Sequence, residues 1–351
     1  MIKKSIKSFL KSIGEIGKQP PKQSDELIAQ INQTTMEYTT LGRTGLRVSV
    51  AGLGGGGYSK IGQSTDKSQA ESIYLIRTAL DFGINLFDTA EDYDTEQIIG
   101  KAIKQIKREN VVLSTKKKLQ NQDRLITGKE LAIGVEKSLR KLQTDYVDIY
   151  NFHGVNLGEY EYVLAELVPV LFKMRDAGKI QFIGITEAFT KEPNHKMLRR
   201  AVEDDCWDTI MVGFNILNQS ARELVLSQAT AQNIGVLSMF AVRRALSSMK
   251  NLRKAILKLQ QMGYAELETL NAENPLDFLF KEGGAKNITD AAYRFCRHQA
   301  EVDAVLFGTG NVEHLTANVA SLLQPPLPEA DLLKLKELFA NVDNFTGHEK
   351  L

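Results

Sequence analysis

The chain has 351 residues, 43% of them hydrophobic and 25% charged, with a formal net charge of +1. This composition is globular and leaves a sizeable core to bury, while the balanced charge gives no general field for nucleic acid or an acidic partner. No apolar stretch approaches the roughly 18 residues of a membrane span. Two cysteines without metal-ligand spacing, Cys206 and Cys296, read as reduced thiols of a cytoplasmic protein.

Residues 1–36 form a basic extension in which six lysines up to Lys22 are interleaved with Ile2, Ile6, Phe9, Leu10, Ile13 and Ile16. The spacing suits a short amphipathic helix on an anionic membrane, or a targeting peptide, but the segment has no arginine. A solvated, flexible extension is the preferred reading. Next, Tyr38–Leu41, a Gly-Arg-Thr-Gly turn and Leu46–Ser49 predict a β-hairpin outside the main repeat.

Strands and helices then alternate. Val48–Leu53 leads to a helix over 67–82, Ile84–Ala90 to one over 95–106, and Val111–Lys116 to one over 128–142. Val147–His153 leads to a helix over 160–176 and Ile180–Thr186 to one over 194–204, before strands Thr209–Asn215, Gly235–Ala241 and Ala304–Thr309. Near-continuous apolar strands separated by amphipathic helices argue for a parallel sheet buried on both faces. Eight units over about 280 residues, close to the ~250 typical of such barrels, predict a closed (β/α)8 TIM barrel at 37–324. A helical insertion, Ala245–Gly284, follows strand seven. The tail, 325–351, starts Pro-Pro-Leu-Pro, carries a helix over 329–342, and is expected to pack on or near the barrel, across its rim.

Such barrels work at the C-terminal ends of their strands. Asp88 and Tyr93 close the second strand, Lys116 the third and His153 the fourth, so the fold gathers a carboxylate, a phenol, an ammonium and an imidazole on one rim. Each alone has an ordinary explanation: a loop cap, a packing ring, a solvated lysine run, a strand-end histidine. Four at matched positions point to carbonyl reduction, in which carbon receives a hydride and oxygen a proton. Tyr93 is the acid, Lys116 lowers its pKa, Asp88 holds Lys116, and His153 orients the carbonyl oxygen.

The segments Asn85–Tyr93, Leu113–Lys116 and Asp148–His153 resemble the three catalytic motifs of the aldo-keto reductase family, in the same order and at similar spacing. The resemblance covers about Glu37 to Leu323. It implies that Asp88, Tyr93, Lys116 and His153 are the catalytic tetrad, and that the cofactor is NADP(H) or NAD(H), with NADP(H) slightly favoured. It also implies cofactor contacts from Gly54 and Gly55 of the Gly52-Leu53-Gly54-Gly55 segment, Arg243 beside Arg244, Gly308 and Thr309 after strand eight, and Glu313, His314 and Asn318 on the helix behind it. Helix N-termini in this part of a barrel are ready phosphate sites.

Several positions depart from the family pattern. Thr186 and Glu187 stand where a Ser-Asn pair holds the nicotinamide amide, Met211 replaces a glutamine, and Met239 or Phe240 replaces the stacking aromatic. Gly308 and His314 stand where many members carry Lys and Arg for the 2′-phosphate. Phe189, Tyr58 and Trp207 read as pocket lining or core, with core preferred for Trp207. The substrate implied is a small carbonyl compound or its alcohol. Two alternatives remain: a nicotinamide-binding redox sensor or auxiliary channel subunit with slow turnover, and a hydrolase or isomerase whose divalent ion is held by Asp88, His153 and Glu187. Oligomeric state is open.

Overall fold

A computed structural model describes residues 35–350, so the basic segment before them, and the reading placed on it, lie outside the described residues. The predicted hairpin is present as β1 (Tyr38–Thr40) and β2 (Arg47–Ser49), antiparallel with Tyr38 opposite Ser49. The first barrel strand, β3 (Ala51–Gly54), starts later than the apolar run suggests. A corner separates it from β2, where Ser49 Oγ donates to Ala51 O and Ser49 N–H to Asn85 Oδ1.

The other strands follow in chain order: β4 (Leu86–Asp88), β5 (Val112–Lys118), a two-residue pair β6 (Gln120–Asn121) and β7 (Arg124–Leu125), β8 (Val147–Val155), β9 (Ile180–Glu187), β10 (Thr209–Gly213), β11 (Gly235–Met239) and β12 (Ala304–Phe307). Eight of them, β3, β4, β5, β8, β9, β10, β11 and β12, run parallel in that order, and β12 pairs with β3 to close the barrel. The (β/α)8 architecture expected from the alternation is therefore the one observed. Leu86, Val112, Ile149, Met211, Leu237 and Ala304 fill the barrel interior, with Leu41 and Val48 of the hairpin segment in the same cluster. A larger apolar layer lies between strands and helices. Trp207 belongs to it as core, fully buried with its indole N–H on Tyr160 Oη at 3.0 Å.

Local chemistry explains where helices start and bend. Thr127 and Glu130 form a capping box that opens the helix Gly128–Leu142, satisfying backbone donors that have no partner within the helix. The single helix expected over 160–176 is interrupted by a wide π turn, Val163–Leu167. Pro169 follows it, and a proline that cannot donate to the residue four before it accounts for the break. In the helix Ile288–Arg297, whose segment around Cys296 already reads as helical, the buried Arg294 donates to the carbonyls of Pro325, Pro326 and Gly284 and fixes the start of the tail. The tail then returns over the rim, where Asn218 and Asn215 side-chain amides donate to Phe345 O and Thr346 O and Ala245 N–H donates to Gly347 O.

At the opposite end of the strands, Asp303 accepts the N–H of Val236 at 2.8 Å. Burial pushes its carboxyl up to about 6, against backbone hydrogen bonds from Val236 and Gly42 that pull it down. For an acid raised in the folded state, the stability it contributes is complete below the unfolded value near ~4 and is lost as pH rises through the folded one. Asp303→Asn should accordingly be more stable than the parent at pH 8, by roughly 1–3 kcal/mol, and no more stable at pH 4. Urea unfolding at the two pH values measures this, and an equal gain at both would refute it.

Candidate active site

Asp88 ends β4, and the register places Ser114 of β5 opposite it. Lys116, two residues further along β5, points the same way and is only 1% exposed. Its ammonium reaches Asp88 Oδ1 and Oδ2 at 2.7 and 2.6 Å and Thr89 O at 2.9 Å. Ser114 Oγ donates to the same carboxylate at 2.8 Å, and Asn151 Nδ2 supports Ser114 at 3.0 Å. Lys116 is thus no solvated lysine, and its neighbours in the run are also engaged: Lys117 with Glu91 and Lys118 with Asp92.

Tyr93 sits on a short 3₁₀ turn, Glu91–Tyr93, just past β4. Its hydroxyl lies 3.1 Å from His153 Nε2, the two rings meet edge to face, and Lys116 Nζ stands 5.3 Å from the phenol centroid. A Cβ on Gly56 would come within 2.4 Å of the Tyr93 ring, so a glycine is needed there to let the phenol sit against the β3 loop. The four predicted rim residues are therefore brought together.

The electrostatics differ from the sequence expectation in one respect. Burial holds the Tyr93 phenol well above its ordinary range, Asp88 and Asp92 push it further up, and Arg243 opposes them. The Lys116 ammonium, expected to lower it, is held by both oxygens of Asp88. His153 is pulled below the usual imidazole value by burial, with Lys116 adding to the effect and Asp92 and Asp88 opposing it.

Two cavities meet at this cluster. The larger, about 1120 Å³, is a groove running from Gly54, Gly56, Gly57 and Tyr58 past Asp88 and Tyr93 to Gly308, Thr309, Asn311 and His314. The smaller, about 410 Å³, is lined by Tyr93, Lys116, Leu119, His153, Thr186, Glu187, Phe189 and Lys191 among others. Tyr93, Met211, Met239, Phe240 and Arg243 line both.

Of the predicted cofactor contacts, Gly54, Met211, Met239, Phe240, Arg243, Gly308, Thr309 and His314 line the groove. Two do not. Gly55 is turned inward, its N–H on Asp88 O at 2.6 Å and its carbonyl taking the Thr95 hydroxyl, and Gly56 and Gly57 line the groove instead. Asn318 lies one helical turn beyond His314 and is not part of the lining. Thr186 and Glu187 face the smaller cavity. Thr186 Oγ1 accepts from Gly154 N–H at 2.8 Å, while the Glu187 carboxylate is held by His195 Nδ1 at 2.9 and 3.0 Å and by Gly213 N–H at 2.7 Å. With Asp88 on Lys116 and Glu187 on His195, the divalent-ion set imagined from Asp88, His153 and Glu187 does not converge; among the described residues no three such side chains are grouped for a metal. Phe240, at a left-handed φ of 67°, carries the Arg243 guanidinium 3.9 Å above its ring and meets Phe189 edge on. Asp92, inside the Asn85–Tyr93 segment, and His195 and His348, which approaches Phe240 from the tail, were given no role by the sequence.

The groove fits a dinucleotide. Glycines leave room for close backbone approach, and the helix Val312–Leu322, capped by Asn311 onto His314 N–H, opens at its far end. The half-buried Arg243 guanidinium has no carboxylate partner among the described residues. An anionic diphosphate would satisfy it.

A closed parallel barrel with a phenol, an ammonium, a carboxylate and an imidazole at its C-terminal rim, beside a groove of this size, defines a barrel oxidoreductase class. Residues 52–340 match the Aldo/keto reductase family, and the chain belongs to it. It is 33% identical to aldo-keto reductase YhdN of Bacillus subtilis (strain 168), over 80% of this chain and 87% of that protein. It is also 27% identical to L-galactose dehydrogenase of Arabidopsis thaliana, over 83% and 89%. A thermostable aldo-keto reductase, Tm1743, solved with the inhibitor epalrestat, superimposes with a TM-score of 0.67 at 26% identity, covering 86% of this chain and 100% of that one. The chain is accordingly an NAD(P)-dependent oxidoreductase.

Proposed function

We propose that the enzyme interconverts a small carbonyl compound and its alcohol, with Tyr93 as general acid on reduction and general base on oxidation, assisted by Lys116, Asp88 and His153. The observation that carries this reading is the Tyr93 hydroxyl, 3.1 Å from His153 and on the wall common to the two cavities. Gly54, Arg243 and Thr309 line the groove that would hold a nicotinamide cofactor, whose chemistry would be to supply or take up the hydride. The carbonyl compound binds in the smaller cavity, where Tyr93 donates its proton to the carbonyl oxygen and His153 orients that oxygen. Lys116, fixed by Asp88, offsets the negative charge that develops on the phenol as its proton leaves. Residues 37–324 act as the catalytic barrel and 325–351 as a tail over its rim. The absence of a long apolar helix among the described residues and two unpaired cysteines fit a cytoplasmic setting.

For the cofactor we favour NADP(H). NAD sites of Rossmann folds place an Asp or Glu on the ribose 2′-hydroxyl, and among the described residues Asp88 is the one carboxylate that lines the groove, whereas Lys67, Arg243 and Arg244 all line it. Fluorescence titration with NADPH and NADH in parallel should give at least about tenfold tighter binding of NADPH, worth ~1.4 kcal/mol. Equal or tighter binding of NADH would overturn the preference, and failure to bind either would remove the whole reading.

A further inference from the structure

The tail brings to the groove a side chain for which the reaction at Tyr93 has no use. Gly347 rests on the loop after β11: its carbonyl accepts Ala245 N–H at 2.9 Å, and a Cβ built on it would stand 3.5 Å from Ala245 Cβ and 4.0 Å from Arg243 Cβ. Its left-handed φ of 78° is one that L side chains rarely adopt, so a glycine makes the turn at this point. The residues around it are tied to one another. Glu349 Oε1 accepts from the N–H and the hydroxyl of Thr346 at 2.7 Å each, and Thr346 Oγ1 accepts the His348 N–H at 3.2 Å. His348 thereby lines the groove, its ring 6.0 Å from that of Phe240 and edge on to it. Neither ring nitrogen has a hydrogen-bond partner among the described residues.

The loop under the tail carries Arg243. Its guanidinium stands 3.9 Å over the Phe240 ring, and a Cβ on Gly57 would come 3.7 Å from Nη1, so this cation spans the groove from the β11 loop to the β3 loop. Arg244 lines the groove beside it. Phe240 and Arg243 also line the smaller cavity, which sets this stretch of the groove near the carbonyl site and away from the end where Val312–Leu322 begins. A dinucleotide with its nicotinamide beside Tyr93 and its adenosine toward that helix carries its diphosphate between the two. The carboxylates that could compete for these cations are engaged, Glu349 by Thr346 and Asp88 by Lys116.

We propose that His348 is a cofactor-binding residue supplied by the tail, donating from its imidazole to the diphosphate beside Arg243. The inference rests on the groove being the nicotinamide cofactor site. The charged groups facing the ring are Arg243 and Arg244 of the loop and Glu349 of the tail. Partial burial lowers the imidazole below its usual value, the two guanidiniums lower it further, and Glu349 opposes them. In the free enzyme the ring is therefore neutral at pH 7. A diphosphate offsets the guanidiniums and favours the charged ring, so binding takes up one proton from solvent and both ring nitrogens become donors. Affinity should then rise as pH falls.

The test is fluorescence titration of the whole chain with NADPH and with NADH, native and His348→Ala. The variant should bind both cofactors about tenfold more weakly at pH 6, the scale of one charge-assisted hydrogen bond, and lose less at pH 8. The pH comparison is read with NADH, since the 2′-phosphate of NADPH titrates near ~6 by itself. His348→Lys, with a permanent charge, should bind tightly at both pH values. Unchanged affinity for NADH in His348→Ala overturns the proposal. So does a loss confined to NADPH, which would put the ring at the 2′-phosphate. If the native chain bound neither cofactor, the groove itself would be misread; if it bound both and His348→Ala bound them as tightly, only the role of His348 would fall.

Discussion

Tyr93→Phe should bind NADPH with nearly native affinity and lose about 10²–10⁴-fold in kcat, the range general acid–base catalysis usually supplies. The change removes one oxygen and leaves the ring, so the packing against Gly56 and the edge-to-face contact with His153 persist. No other hydroxyl joins the two cavities beside His153 among the residues lining both. Since burial and the carboxylates Asp88 and Asp92 hold the phenol above its ordinary range, it stays protonated throughout neutral pH. The rate of carbonyl reduction should therefore show no basic limb below about pH 10, the value of a free phenol. Stopped-flow cofactor binding and steady-state rates from pH 6 to 10 check both statements. Retained turnover in the variant, or a native limb near pH 8, would count against Tyr93 as the acid.

The barrel was legible because strands buried on both faces must be apolar along their length, which marks β10 and β12 in the sequence as plainly as in the structure. The rim cluster was legible for a related reason: a polar residue that ends an apolar strand has a predictable height in the barrel. What escaped depends on contacts between segments far apart in the chain or on which way a side chain turns. Glu187 was read from its position as a cofactor contact, but the turn that brings His195 back against it, through a left-handed φ of 59°, has no sequence signature. His348 reaches the groove only because Asn215 and Asn218 tie down a tail more than a hundred residues later. Asp92 stood in full view inside a quoted motif and was passed over, since only the fold turns it toward the far side of His153.

Stability and catalysis should separate at the Lys116–Asp88 pair. Both side chains are nearly inaccessible, at 2% and 6%, and removing one member of such a pair leaves a buried charge that only hydrogen bonds can compensate. Lys116→Met strands Asp88 with Ser114 as its remaining side-chain donor, and Asp88→Leu strands the ammonium on the Thr89 carbonyl. Each single change should cost about 3–5 kcal/mol of folding stability, read from urea midpoints at constant slope. The double variant Lys116→Met/Asp88→Leu removes both charges together, so its loss should fall well short of the sum of the singles, with a coupling of about 1–3 kcal/mol. Turnover should not follow this recovery, because the charge that offsets the developing phenolate is absent from the double variant as well. If the double variant regained activity along with stability, Lys116 would be only a structural ion, and the rim cluster would reduce to Tyr93 and His153.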